Sequence, residues 1–181
     1  MEMMDGAELY DYYKSFSNQE AITFSRYNDK LRNCNFDWFD LAAQTGVTQD
    51  YNVSLSGGNE KIRSFLSIGV YDEEGAVKGY DYTRYNFRLK TTYKPFEWLS
   101  IKPALAGSRR DIEDKQYDVT SMFQRLPWDS PFDEEGNLVP NRYTGWVNSS
   151  NSNYLYDLQW NKSNSTNYEF MGNLDFDIRI T

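Results

Sequence analysis

The chain has 181 residues, enough for one domain with a core of its own. Its 27 acidic and 19 basic residues leave a net charge of −8, which argues against the basic face that a phosphate backbone requires, so no nucleic acid is expected as a partner. There is no histidine and one cysteine, Cys34, which excludes Ser-His-Asp and Cys-His catalysis, internal disulfides and most zinc chemistry.

The first element in chain order is helical, over residues 5–16. Asp5 can cap it, Glu8 stands in the capping-box position, and Leu9, Tyr13 and Phe16 share a face. The stretch FDWFDLAAQTG, residues 36–46, predicts a short helical turn ended by Gly46. Strands follow. Residues 48–56 alternate Tyr51, Val53 and Leu55 against Asn52, Ser54 and Ser56, and Gly57-Gly58-Asn59-Glu60 predicts a tight hairpin turn. A second strand covers 62–71, with Ile62, Leu66, Ile68 and Val70 on one face and Ser64 as the exception. After the loop DEEGAVKG comes a third strand from about Tyr82, in which Tyr85, Phe87 and Leu89 oppose Arg84, Asn86, Arg88 and Lys90. A short turn, KPFE, leads to a fourth strand from Trp98 to about Arg109, weakened by Pro103. Alternation then stops until Asn167, where a fifth strand runs to the end.

In the third and fifth strands the polar faces carry hardly any apolar residues over 12 to 15 residues. Twelve residues at about 3.4 Å each extend ~40 Å, or ~30 Å when tilted by roughly 40°, which matches a bilayer core. Connections that run short, medium, short and very long match the turns and loops of outer-membrane barrels. Tyr93, Phe96 and Trp98 cluster at one strand end, as an interfacial girdle does. GGNE and KPFE are therefore expected on the periplasmic side, with the long loop and the N-terminal region outside. Tyr85, Phe87 and Leu89 are expected to face lipid, and Arg84, Arg88 and Lys90 a polar lumen.

Asp37-Trp38, the hairpin Asn52–Lys61 (NVSLSGGNEK), Glu74-Gly75, the run Arg84–Arg88 (RYNFR) and the loop Pro127–Val139 (PWDSPFDEEGNLV) together resemble the SusC/RagA family of TonB-dependent outer-membrane transporters. The resemblance covers roughly residues 5–181. It implies a 22-stranded barrel with a plug and a TonB box, located in the bacterial outer membrane. It also implies a TonB complex, outer-membrane lipid and a SusD-like surface lipoprotein as partners, and glycans or peptides as substrates. About five strands, without the signal peptide, plug or TonB box of the family, lead to the expectation of an internal piece of such a transporter.

The expected fold class is all-β: antiparallel up-and-down strands forming part of a large transmembrane barrel, with a short N-terminal helical segment and a long extracellular loop. The domain expectation is a helical and irregular extracellular region over 1–47 and a partial barrel over 48–181, with the long loop at about 110–166. Trp128, Trp146 and Trp160, beside Tyr154 and Tyr156, are candidate substrate contacts, against the alternative that they form the loop's own small core. Arg84 and Arg88 are candidates for a substrate path. The two DEEG stretches lack EF-hand spacing and predict glycine-closed turns, so no metal or cofactor is expected. No carboxylate pair is nominated for hydrolysis, so the protein is not expected to be an enzyme. The competing reading is a soluble β-sandwich that binds carbohydrate through loop aromatics.

Overall fold

The computed structural model describes residues 4–15, 31–115 and 119–180. They form two compact units, residues 1–44 with 116–161, and residues 45–115 with 162–181. No described helix is long and apolar enough to cross a membrane, which says nothing of crossing with strands.

The second unit is one antiparallel sheet. Its strands are β1 (Val47–Gly58), β2 (Ile62–Glu74), β3 (Tyr80–Phe96), β4 (Leu99–Asp114) and β5 (Asn164–Ile178), in spatial order β1-β2-β3-β4-β5. They hold 12 to 17 residues, two to three times the common strand length of about 5–6. The sheet is not closed, and every residue of β1 and β5 is exposed. The strands run a few residues beyond the sequence expectation at several ends. β4 continues to Asp114 and β5 begins at Asn164, because the ladder continues through Glu113↔Asn164 where hydrophobic alternation has faded.

Register decides the faces, because directly paired residues point the same way. One row reads Leu55, Leu66, Leu89, Leu105 and Gly172; the next reads Val53, Ile68, Phe87, Gly107 and Phe170. A third row ends the band with Tyr51, Val70, Tyr85, Arg109 and Tyr168. At the other end lie Ile62, Tyr93, Ile101 and Phe176. From Tyr85 to Tyr93 is about 27 Å along the strand, or about 20 Å if tilted by ~40°, close to the ~25 Å apolar band of an outer-membrane barrel.

Turns and exceptions have local causes. Gly58 has φ 149°, and a Cβ there would meet the Ile62 carbonyl oxygen at 2.1 Å. The Asn59 side chain then accepts from the N–H groups of Lys61 and Ile62 at 2.9 and 3.0 Å, which closes the hairpin. Pro103 lies inside β4, as its position suggested, and its absent N–H falls where the β3–β4 pairing skips Thr91 and Thr92. A further register shift between Tyr93 and Phe96 accommodates Pro95. Beyond it the Phe96 and Trp98 rings stack at 5.4 Å.

Ser64, the polar residue on the apolar face, is paired across strands with Thr91, and their hydroxyls lie 3.1 Å apart. Each hydroxyl thereby satisfies the other on a face that otherwise offers no partner. Ser64→Ala or Thr91→Val alone is expected to cost about 1 kcal/mol by orphaning the partner, whereas the double substitution is expected to be near neutral. Unfolding titrations in detergent micelles, arranged as a double-mutant cycle, measure that coupling; additive single effects would exclude it.

The first unit holds the helix α1 (Gly6–Lys14), a 3-10 turn at Leu31–Asn33, α2 (Trp38–Ala42), a 3-10 segment at Val119–Gln124 and α3 (Tyr154–Trp160). Asp5 and Glu8 form the capping box on α1. Phe16, counted on its apolar face, lies outside the described residues. α2 starts at the Asp37 cap and ends at Ala42, short of Gly46. Within the long loop expected at about 110–166, the described residues carry helical turns, and residues 116–161 group with the N-terminal segment. Trp38, Val139 and Trp146 form its central cluster, with Met122, Trp128 and Tyr154 also buried.

Candidate functional site

The sequence-predicted contacts fall in both units. In the first unit, Trp128 and Trp146 are 6% and 4% exposed. Trp128 donates its indole N–H to the Gly6 carbonyl at 3.0 Å, and Trp146 donates to the Ser130 carbonyl at 2.6 Å. Trp38, which sequence reasoning placed only in a motif, packs edge-on against Trp146 at 5.8 Å and donates to the Asp129 carbonyl at 2.9 Å. Buried indoles whose single donor is already used have little left to offer a ligand. The loop's own core is what these two tryptophans build. Trp160 differs: it is 67% exposed, with Tyr156 beside it at 6.2 Å.

Two buried polar residues hold the backbone around that core. Asn153 donates to the carbonyls of Pro131 and Val139 at 3.0 and 2.7 Å, and its side-chain oxygen caps α3. The Asp129 carboxylate accepts from the N–H groups of Val147 and Asn148 at 2.6 and 3.1 Å. Burial raises the Asp129 pKa above the ordinary 3.8, against the opposing pull of those two N–H groups and the Arg125 charge. Neither residue carries a pattern that hydrophobic periodicity detects.

The DEEG stretches are turns. The Asp133 side chain accepts from the N–H groups of Asn137 and Glu135 at 2.8 and 3.0 Å, and Gly136 has φ 84°. The Asn137 N–H in particular lowers the Asp133 pKa. In the first stretch the positive φ belongs to Gly79, at 95°, four residues beyond Gly75. Among the described residues no group of three or more His, Cys, Asp or Glu side chains converges as metal ligands would.

In the sheet, Arg84 and Arg88 lie on the polar face with Asn86 and Lys90, as alternation predicts. Arg84 sits over the Tyr71 ring at 5.3 Å and faces Arg110, which is held by Glu169 at 2.6 Å. Arg88 lies between Ser67 and Ala106, and Lys90 between Phe65 and Ala104. Phe65, Ser67, Asn86, Arg88, Ser108 and Met171 line a shallow depression of about 410 Å³ there. The opposite face is apolar over the same rows. A sheet of this length with one apolar and one polar face is therefore suited to standing between hydrocarbon and water.

Comparison with known proteins agrees with that geometry. TonB-dependent receptor P26 of Formosa agariphila is 23% identical over 176 residues, covering 97% of this chain and 18% of the relative. TonB-dependent receptor SusC of Bacteroides thetaiotaomicron is 24% identical over 195 residues, covering 94% of this chain and 19% of the relative. The chain is SusC/RagA-like. TonB-dependent receptor P39 of Formosa agariphila is 29% identical over 108 residues, 58% of this chain and 10% of that protein. Among solved structures, the RagAB peptide importer in its closed-closed state matches with a TM-score of 0.71 at 20% identity, covering 99% of this chain and 24% of that chain. A RagAB peptide transporter structure matches with a TM-score of 0.58 at 24% identity, covering 87% of this chain and 21% of that chain. No family model matches. The chain thus spans less than a fifth of the curated relatives' length, and its open five-stranded sheet shares the fold of part of the RagAB importer chain.

Removing the Asp129 carboxylate should leave two buried N–H groups without an acceptor. Asp129→Ala is expected to destabilise the first unit by about 2–4 kcal/mol, measured by denaturant titration of tryptophan fluorescence. Because the folded pKa is raised, the folded state binds more protons than the unfolded one between 3.8 and that raised value. The Asp129 contribution therefore decreases as pH rises through this window. Asp129→Ala is expected to lack that part of the slope.

Proposed function

We propose that this chain forms part of the wall and outer region of a TonB-dependent outer-membrane transporter that imports glycans or peptides. The observation that carries the reading is the pair of opposite faces maintained in register across five strands. An apolar band about 20 Å tall requires hydrocarbon or a second packed layer, and the strands are too long and too regular for a typical sandwich. The outer edges of β1 and β5 present unpaired N–H and C=O groups, which in lipid demand further strands on both sides. The relatives support a reading in which the activity belongs to the whole transporter. Its partners in this reading are the TonB complex, outer-membrane lipid and a SusD-like surface lipoprotein.

The short turns, β1–β2 and β3–β4, share one end of the sheet and point to the periplasm in this reading. The long loop is extracellular in this reading. Trp160, exposed there, and Arg84 and Arg88, on the polar face, remain the candidate substrate contacts. Trp128 and Trp146 act by shaping that loop. No role in catalysis is assigned, and the named relatives are receptors and transporters.

Trp98 is the one tryptophan of the sheet unit, and it stands at a rim of the apolar band. In micelles or vesicles containing brominated acyl chains, Trp98 fluorescence is expected to be quenched, and Trp98→Phe should remove most of the quenchable signal. A cooperative melt of the sheet in plain buffer, with Trp98 insensitive to bromine, would favour the soluble sandwich instead.

A further inference from the structure

Several cations of the sheet are already partnered. Lys102 pairs with Asp177, Arg110 with Glu169 at 2.6 Å, Arg109 with Asp111 at 3.0 Å and Lys115 with Glu113, while Arg84 lies over Tyr71. Arg63, Arg88 and Lys90 have neither an ion pair nor a hydrogen bond among the described residues, and all three are exposed on the polar face. Arg88 and Lys90 are about 7 Å apart along β3, and Arg63 is diagonal to Lys90 across β2 at roughly 7–8 Å. A chain of net charge −8 thus concentrates three unneutralised positive charges on a patch two strands wide.

Their neighbours keep the patch open. Ser67 and Ala106 flank Arg88 and are too short to reach over it, and Ala104 does the same on one side of Lys90. The depression beside Arg88 adds hydroxyl and amide groups from Ser67, Ser108 and Asn86 and the aromatic rings of Phe65, 37% exposed, and Phe87; the one carboxylate in its lining, Glu169, is held by Arg110. Hydroxyl and amide side chains match the hydroxyls of a sugar, an aromatic ring matches its apolar face, and the cations match an acid group at the next position.

We propose that this patch is a subsite for an acidic oligosaccharide, in which Arg88 and Lys90, with Arg63 beside them, hold carboxylate or sulfate groups. This rests on the importer reading and names a substrate class within it. Arg88, through its planar fork, takes the acid group in a paired geometry; Lys90 and Arg63 supply point charge on either side of Phe65.

The test uses the detergent-solubilised protein and two probes of equal length, dextran sulfate and neutral dextran. Dextran sulfate is expected to bind at least about tenfold more tightly at low salt, with the preference falling as salt rises. Arg88→Gln combined with Lys90→Gln should remove most of the preference, and Arg88→Lys combined with Lys90→Arg should restore it. Equal binding of neutral dextran, or unchanged binding in the glutamine variant, would overturn the subsite. Poly-glutamate binding as tightly as dextran sulfate would also overturn it, by assigning the patch to acidic peptides. Protein whose Trp98 is quenched by brominated lipid but which ignores dextran sulfate refutes this inference alone; protein whose Trp98 is not quenched refutes the importer reading.

Discussion

Everything in the sheet depends on register. A strand alternates its side chains with a period of two, so a slip by one residue moves every side chain to the opposite face. Here a slip of β3 would turn Arg84, Arg88 and Lys90 toward the apolar side and Tyr85, Phe87 and Leu89 toward the polar side. In a membrane, each basic residue so misplaced costs about 2–4 kcal/mol near the midplane. Several such residues on one strand outweigh any gain from an alternative pairing. The long, regular ladders are the consequence.

The departures from strict alternation are managed within the sheet. Ser64 and Thr91 satisfy one another. Gly107 makes room for Phe87, whose ring would be 2.5 Å from a Cβ at that position, and the rings of Phe87 and Phe170 lie 6.4 Å apart across it. Arg109 is on the apolar face, yet it stands in the terminal tyrosine row. There its guanidinium lies 5.8 Å from the Tyr168 ring and reaches Asp111, toward the polar end of the strand. Each exception therefore has a partner within a neighbouring strand or two residues along its own.

The first unit follows different physics. It has few aliphatic side chains, so three indoles, Trp38, Trp128 and Trp146, provide much of the buried area, and each sends its one donor to a backbone carbonyl. Irregular backbone leaves many polar groups to satisfy. Asn153 and Asp129 do this from inside, with four carbonyl or N–H contacts to residues 14 to 22 positions away in sequence. Such a unit is specified by side-chain hydrogen bonding as much as by burial.

The strands, their faces and their order were legible in the sequence alone, because period-two alternation and glycine-rich turns act over a few neighbouring residues. The α1 capping box, the GGNE hairpin and the polar placement of Arg84 and Arg88 belong to this class. The family likeness was legible for the same reason, since its motifs are strand and turn segments. What tertiary structure decided is where residues distant along the chain meet. An exposed and a buried tryptophan have the same local sequence signature, so Trp160 could not be told from Trp128 and Trp146 until the core was assembled. The joining of the N-terminal segment with residues 116–161 was equally invisible, because no local period marks hydrogen bonds such as Trp128 to Gly6. The same holds for the open cations: alternation put Arg88 and Lys90 on the polar face, but only cross-strand register revealed that short side chains flank Arg88 and that no described carboxylate pairs with either.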